Sequence, residues 1–231
     1  MDFRNGLRDG IPICLGYFAV SFAFGILCVS QGLTALEAML ISLTNLTSAG
    51  QFAGLTIMAS MGSLVEMAVS QLVITSRYLL MSISLSQKVD ESFSGIWRWI
   101  LGYGVTDEIY AVAVSRESVS RNYFAGLIIT PVIGWTGGTL CGAVLGNILP
   151  AVITNALGVA LYGMFIAIVI PAARDSRPVF VAALIAVAIR IILYYVPIFS
   201  TISGGFAIII CTLIASAAAA ILHPVEEETT V

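Results

Sequence analysis

Between residues 11 and 222 the chain is a succession of apolar segments, at 11–30, 35–58, 64–86, 96–115, 122–149, 156–172, 179–199 and 203–222. Nothing else in the sequence restricts its fold so tightly. A helix needs roughly 20 apolar residues to cross the hydrocarbon core of a bilayer, and most of these segments approach or exceed that length. None shows the two-residue alternation of a membrane barrel strand, and helices satisfy their own backbone groups in lipid. The segments therefore predict an all-α polytopic membrane protein, a bundle of about eight hydrophobic segments. With 59% hydrophobic and 10% charged residues, the chain lies outside the range of soluble domains. No linker or low-complexity stretch divides it, so residues 1–231 read as a single integral membrane domain.

The few charges set an expected topology. With every segment crossing and the N-terminus cytoplasmic, Arg4, Arg8, Arg116, Arg121, Arg174 and Arg177 fall inside, and Lys88 and Arg98 outside. That asymmetry follows the positive-inside rule. Arg4 and Arg8 precede an apolar run too long for a signal-peptide core, which is expected to stay as an anchor. No clustered basic patch suggests nucleic acid as a partner. Cys14, Cys28, Cys141 and Cys211 lie inside apolar segments without a paired spacing, so they read as packing residues, with no metal site, disulfide framework or cofactor expected.

Polar residues inside the apolar segments carry the functional signal, because an ionisable group at membrane depth is costly unless paired or functional. Asp107 and Glu108 sit near the middle of 96–115, about 100° apart if that segment is one helix. Arg77 is well inside 64–86, followed by Tyr78, and Arg190 inside 179–199, ahead of Tyr194 and Tyr195. A guanidinium binds a carboxylate bidentately, so the partner of Arg77 is either a substrate carboxylate or one of the two acids. An acid in a low-dielectric site also tends to keep its proton, which suits proton coupling.

Segment 35–58 holds Asn45, Thr47, Ser48, Gly50, Gln51 and Gly54 halfway along. Either the helix breaks there, exposing backbone groups to a substrate, or these side chains hydrogen-bond between helices. A substrate carrying a carboxylate would be held near the midplane, between Ser48, Gln51, Arg77, Tyr78, Thr106 and Tyr110, with its apolar part against residues such as Phe52 and Leu55. Gly134, Gly138, Gly142 and Gly146 share one helix face, which fits close packing inside the molecule or between subunits.

Ser48-Ala-Gly-Gln51-Phe52, Arg77-Tyr78 with Ser82 and Ser84-Leu85, and Thr106-Asp107-Glu108-x-Tyr110-Ala, preceded by Gly6-x-x-Asp9-Gly10-x-Pro12, together resemble the AzlC-like branched-chain amino acid permeases. The likeness is densest over residues 4–115, and departs from the family at Ser48, where a glycine is usual nearby, around Ala19, where the first span often has a proline, and at Ser76, where Asn is common. The resemblance implies the large subunit of a two-component exporter. It implies export of valine, leucine, isoleucine or similar amino acids across the cytoplasmic membrane, with a small AzlD-type membrane partner.

Other classes are weighed on the same residues. Gly102-x-Gly104-x-x-Asp107 is a faint likeness to an intramembrane aspartyl protease, but that chemistry needs a second aspartate inside a span, and there is none. The only histidine, His223, ends the last segment and leaves a serine protease without an evident base. A channel and a non-transporting membrane subunit are the remaining alternatives. The mixture of Arg, acid, Gln and Ser at one depth suits a zwitterion better than a ring of like charge suits a pore.

Overall fold

In a computed structural model of the protein, the described residues are 2–146, 166, 169–199 and 201–222. Most of segment 156–172 and His223 lie outside them. Among the described residues the helices with defined bounds are α1 (Asp2–Ser30), α2 (Ala35–Thr44), α3 (Ser48–Ala59), α4 (Leu64–Ser86), α5 (Ile96–Gly102), α6 (Asp107–Val114), α7 (Arg121–Leu145), α8 (Arg177–Tyr195) and α9 (Gly204–Leu222). Residues 169–175 are also helical. The all-α membrane architecture expected from hydropathy is present, but the count of eight crossings is not: among the described residues five helices, α1, α4, α7, α8 and α9, are long and apolar enough to span. The chain forms two compact units, Met1–Phe52 with Ile74–Leu161, and Ala53–Val73 with Tyr162–Val231.

The first unit is built on α1 and α7, which run parallel. A methyl on Gly6 would strike the Tyr123 carbonyl, one on Gly134 the Cys14 carbonyl, one on Gly138 Ser21 and the Phe18 carbonyl, and one on Gly142 the Phe22 carbonyl. Glycine is required for this backbone approach, which replaces the missing hydrophobic drive between helices in lipid with dispersion contact. The glycine face of segment 122–149 is therefore an internal packing surface.

Segment 35–58 breaks, and the break turns it back. Thr34 and Glu37 form a capping box that starts α2. At Asn45 the backbone becomes extended, and Asn45 Oδ1 accepts from the Thr47 N–H at 2.8 Å, a local turn that competes with helix continuation. Gln51 Nε2 donates across the bend to the Asn45 carbonyl at 2.8 Å and to Ser42 Oγ at 3.2 Å. Leu46 packs with Tyr17 and Trp135, whereas Phe52 meets Phe24 edge-on at 5.2 Å, farther along α1. From Tyr17 to Phe24 is about 10 Å of helix. The chain thus descends through α2 and climbs again at the start of α3.

Segment 96–115 does the same from the other end. Helix α5 stops at Gly102, the N–H groups of Gly104 and Val105 close onto the carbonyls of Leu101 and Gly102, and α6 restarts after extended Thr106. Its two ends are tied together, because Val119 N–H donates to Lys88 O at 2.9 Å, Asp90 N–H to Val119 O at 3.1 Å and Lys88 Nζ to Val114 O at 2.6 Å. Arg116 pairs with Asp9 at 2.9 Å and Ser120 Oγ donates to Asp2 at 3.0 Å, so this junction lies at the N-terminal end of α1. Helices of 7 and 8 residues reach only about 10–12 Å each, far short of a ~30 Å core.

The all-crossing topology is corrected accordingly. Segment 96–115 is re-entrant, Lys88 and Arg98 lie at the same end of this unit as Arg4, Arg8, Arg116 and Arg121, and the positive asymmetry is stronger than expected. Asp107 and Glu108 open the first turn of a half-helix; they are not the middle of a span. Within this unit α1 runs from the junction at Asp2 toward the hairpin tips, and α4 runs from Tyr78, beside the tips, back to the junction at Lys88. Each is followed by a broken hairpin re-entering from its own C-terminal end. The two hairpins therefore enter from opposite ends.

In the second unit α8 packs against α9. Glu66, in the first turn of α4 and 3% exposed, accepts from the Gly205 N–H at 3.1 Å and from the Ser203 hydroxyl. A carboxylate on the first N–H groups of α9 complements the positive end of its dipole. No residue of α8 is buried, Tyr194 and Tyr195 are widely exposed, and so is Arg190.

Candidate functional site

The tips of the two hairpins meet. Tyr103 of the second donates to the Leu43 carbonyl of the first. Between them lies a cavity of about 130 Å³ lined by Thr44, Asn45, Leu46, Thr47, Tyr78, Gly102, Tyr103, Val105 and Thr106. Hydroxyl, amide and backbone groups furnish it, and no wall residue carries a formal charge. At that size it suits the polar head of a small molecule, being well below the ~300–1,000 Å³ of a cleft that swallows a whole ligand.

Charge stands one residue behind the walls. Tyr17 Oη lies 2.6 Å from Glu108 Oε2 and 2.7 Å from Thr106 Oγ1. A phenol has one proton, so with Glu108 ionised it donates to the carboxylate and accepts from the threonine hydroxyl. Trp135 braces Tyr17 edge-on, with centroids 5.2 Å apart. On the other side Arg77 pairs with Asp107 at 3.0 Å, and its guanidinium lies 5.2 Å from the centroid of the Tyr78 ring. The two acids thus take different partners, as their divergence on a helix requires, and Asp107 is the one that neutralises Arg77.

Both re-entrant helices begin at the tips. Thr47 precedes α3 and Thr106 precedes α6, and Thr106 makes no side-chain cap bond, leaving first-turn N–H groups of α6 uncapped by it. The positive ends of two half-helices therefore border the cavity, together with one carboxylate, Glu108, that no cation neutralises among the described residues.

Of the residues singled out in the sequence, Tyr78 and Thr106 are walls of the cavity. Arg77, Asp107 and Glu108 are the charges behind it. Ser48 opens α3, and Gln51, 2% exposed, stitches the first hairpin while its Oε1 has no hydrogen-bond partner among the described residues. Phe52 stacks on Phe24, and Tyr110 donates to Ser84 Oγ at 2.8 Å; neither lines the cavity. Sequence reasoning missed Tyr17, Tyr103 and Trp135. Their signal was an amphipathic aromatic inside an apolar segment, a class that seeks a hydrogen-bond partner when buried.

Residues 12–149 match the AzlC protein family. The chain is similar to an uncharacterized membrane protein of Archaeoglobus fulgidus, 32% identical over 73% of this chain and 75% of that one. It is also similar to the inner membrane protein YgaZ of Escherichia coli, 28% identical over 85% and 84% of the two chains. A Helicobacter pylori membrane protein (strain ATCC 700392 / 26695) is 26% identical over 63% and 67%. No solved structure matches. The matched residues include both hairpins and the helices that carry them.

Proposed function

The chain belongs to the AzlC family, and from that premise we propose that it is a secondary transporter which binds the zwitterionic head of an amino acid between the two hairpin tips. The observation that carries this reading is the convergence of α3 and α6 on one polar cavity, with an unneutralised carboxylate beside it. Helix N-termini favour a carboxylate and Glu108 favours an ammonium, so the two ends of a zwitterion have separate places.

Valine, leucine, isoleucine and similar apolar amino acids are the substrates, moved outward across the cytoplasmic membrane. A small AzlD-type membrane protein is the partner. The mechanism is alternating access, a reading the oppositely directed hairpins support: substrate binding energy that differs between two arrangements of the hairpins shifts their balance. Glu108 supplies proton coupling by taking up a proton in one arrangement of the hairpins and releasing it in the other, with Tyr17 as its hydrogen-bond donor when it is ionised.

The test is flux of labelled amino acids in proteoliposomes under imposed proton gradients, with and without the small partner. Saturable flux that rises with the gradient supports the reading. Flux that grows without saturation identifies a channel, and absence of flux in both preparations identifies a non-transporting subunit.

A further inference from the structure

A second cavity, of about 320 Å³, lies on the other side of the tip of the second hairpin, lined among others by Ser82, Leu85, Phe93, Trp99 and Phe124. Its walls are mostly apolar, with Ser82, Ser86 and Arg98 as the polar members, where those of the first are mostly polar. The two share Gly102 and Val105 as walls. A methyl built on Gly102, an exposed residue, would meet nothing within 4 Å, so a side chain at this shared wall position has room to project. Gly104 cannot yield in the same way, because a methyl there would strike Ile128 of α7.

We propose that the two cavities are one bipartite site straddling Gly102, in which the larger chamber takes the hydrocarbon side chain of a ligand whose polar head sits between the hairpin tips. This inference rests on the transport reading above and adds to it the residues that set specificity. The wall Val105–Gly102 aligns the head, while the buried Leu85, Phe93 and Phe124 define the depth available to the side chain and Trp99 stands at the rim. Apolar walls reward each buried methylene, so affinity rises with side-chain length until the chamber is filled. Arg98, whose Nε donates to the Phe93 carbonyl at 2.9 Å, also lines the chamber and disfavours a cationic side chain.

The experiment is equilibrium binding of labelled alanine, valine, leucine and phenylalanine to the purified full-length chain and to three variants. Gly102→Leu fills the passage between the cavities; it is expected to weaken leucine and phenylalanine about tenfold or more and to leave alanine nearly unchanged. Gly102→Ala should give the same order with a smaller effect. Trp99→Ala, at a position 85% exposed where folding is not at stake, should weaken phenylalanine severalfold and spare alanine. Equal loss for all four amino acids in the Gly102 variants would overturn the inference by making the chamber a passage and not a pocket. Unchanged selectivity in all variants would overturn it too, while leaving the transport reading intact. A parent protein that binds none of the four removes the transport reading and the inference with it.

Discussion

Tyr17 and Glu108, 91 residues apart in the chain, meet at 2.6 Å where the first spanning helix touches the tip of the second hairpin. This bond joins a continuous helix to a re-entrant one. Tyr17→Phe leaves a carboxylate and a buried threonine hydroxyl short of a partner, at a cost of about 1–3 kcal/mol. Thermal unfolding in detergent should show the loss, and amino acid flux should fall more than proportionally. Glu108→Gln keeps a hydrogen-bonding group and removes the titratable one, so flux is expected to persist downhill and to lose its response to a proton gradient.

The Arg77 and Asp107 pair should respond to exchange. Each side chain is partly exposed, so the bond itself is worth on the order of 1 kcal/mol or less. Arg77→Asp and Asp107→Arg alone each set like charges together and should abolish binding. The double exchange should recover a measurable fraction of it, as read by binding to purified protein. No recovery would assign Arg77 a direct role toward the ligand.

Two adjacent glycines on α7 should behave oppositely. Gly138 is pressed on Ser21 and the Phe18 carbonyl, whereas a side chain on Gly137 meets open space. Gly138→Leu should destabilise by about 1–3 kcal/mol or more through overpacking, and Gly137→Leu should be near neutral. Comparing the two by size-exclusion profile and melting temperature separates packing from helix propensity, since both changes gain the same propensity.

Re-entrance can be read from outside the membrane. Single cysteines at Lys88 and Arg116 should label from the same face, in a background where Cys14, Cys28, Cys141 and Cys211 are replaced. Labelling from opposite faces would restore segment 96–115 as a crossing.

In the second unit, Glu66→Ala removes the acceptor for both Ser203 and Gly205. Loss of a helix cap costs about 0.5–2 kcal/mol, and amide exchange at the start of α9 should accelerate by the matching factor. Glu66→Gln keeps one acceptor oxygen and should lie between the two.

Helices α1, α4, α7, α8 and α9 were legible in the sequence because apolar length decides them. The break at Asn45 was legible only as one of two alternatives, since Asn45, Thr47 and Gln51 can hydrogen-bond locally or between helices. The break at Gly102 to Thr106 was not. Its apolar flanks let 96–115 pass for a span of ordinary length, and only the ties between Lys88, Val114 and Val119 reveal that both ends emerge together. The same holds for the site: Arg77, Asp107 and Glu108 announce themselves by charge in an apolar run, but which acid meets which partner depends on a hairpin tip the hydropathy does not record. Tyr17 was hidden because a tyrosine in an apolar segment is common, and its meaning comes from Glu108, far away in sequence.

The inverted hairpins also impose an order on biogenesis. Neither α2 with α3 nor α5 with α6 can leave the insertion machinery as a stable lipid-facing element, because the turn at each tip carries backbone groups that hydrocarbon cannot satisfy. α1, α4 and α7 must therefore be in the bilayer first, so that Tyr17, Trp135 and Tyr78 stand ready to receive the tips. Ribosome-bound chains that end before α7 emerges should leave the second hairpin open to protease, and those that include it should close.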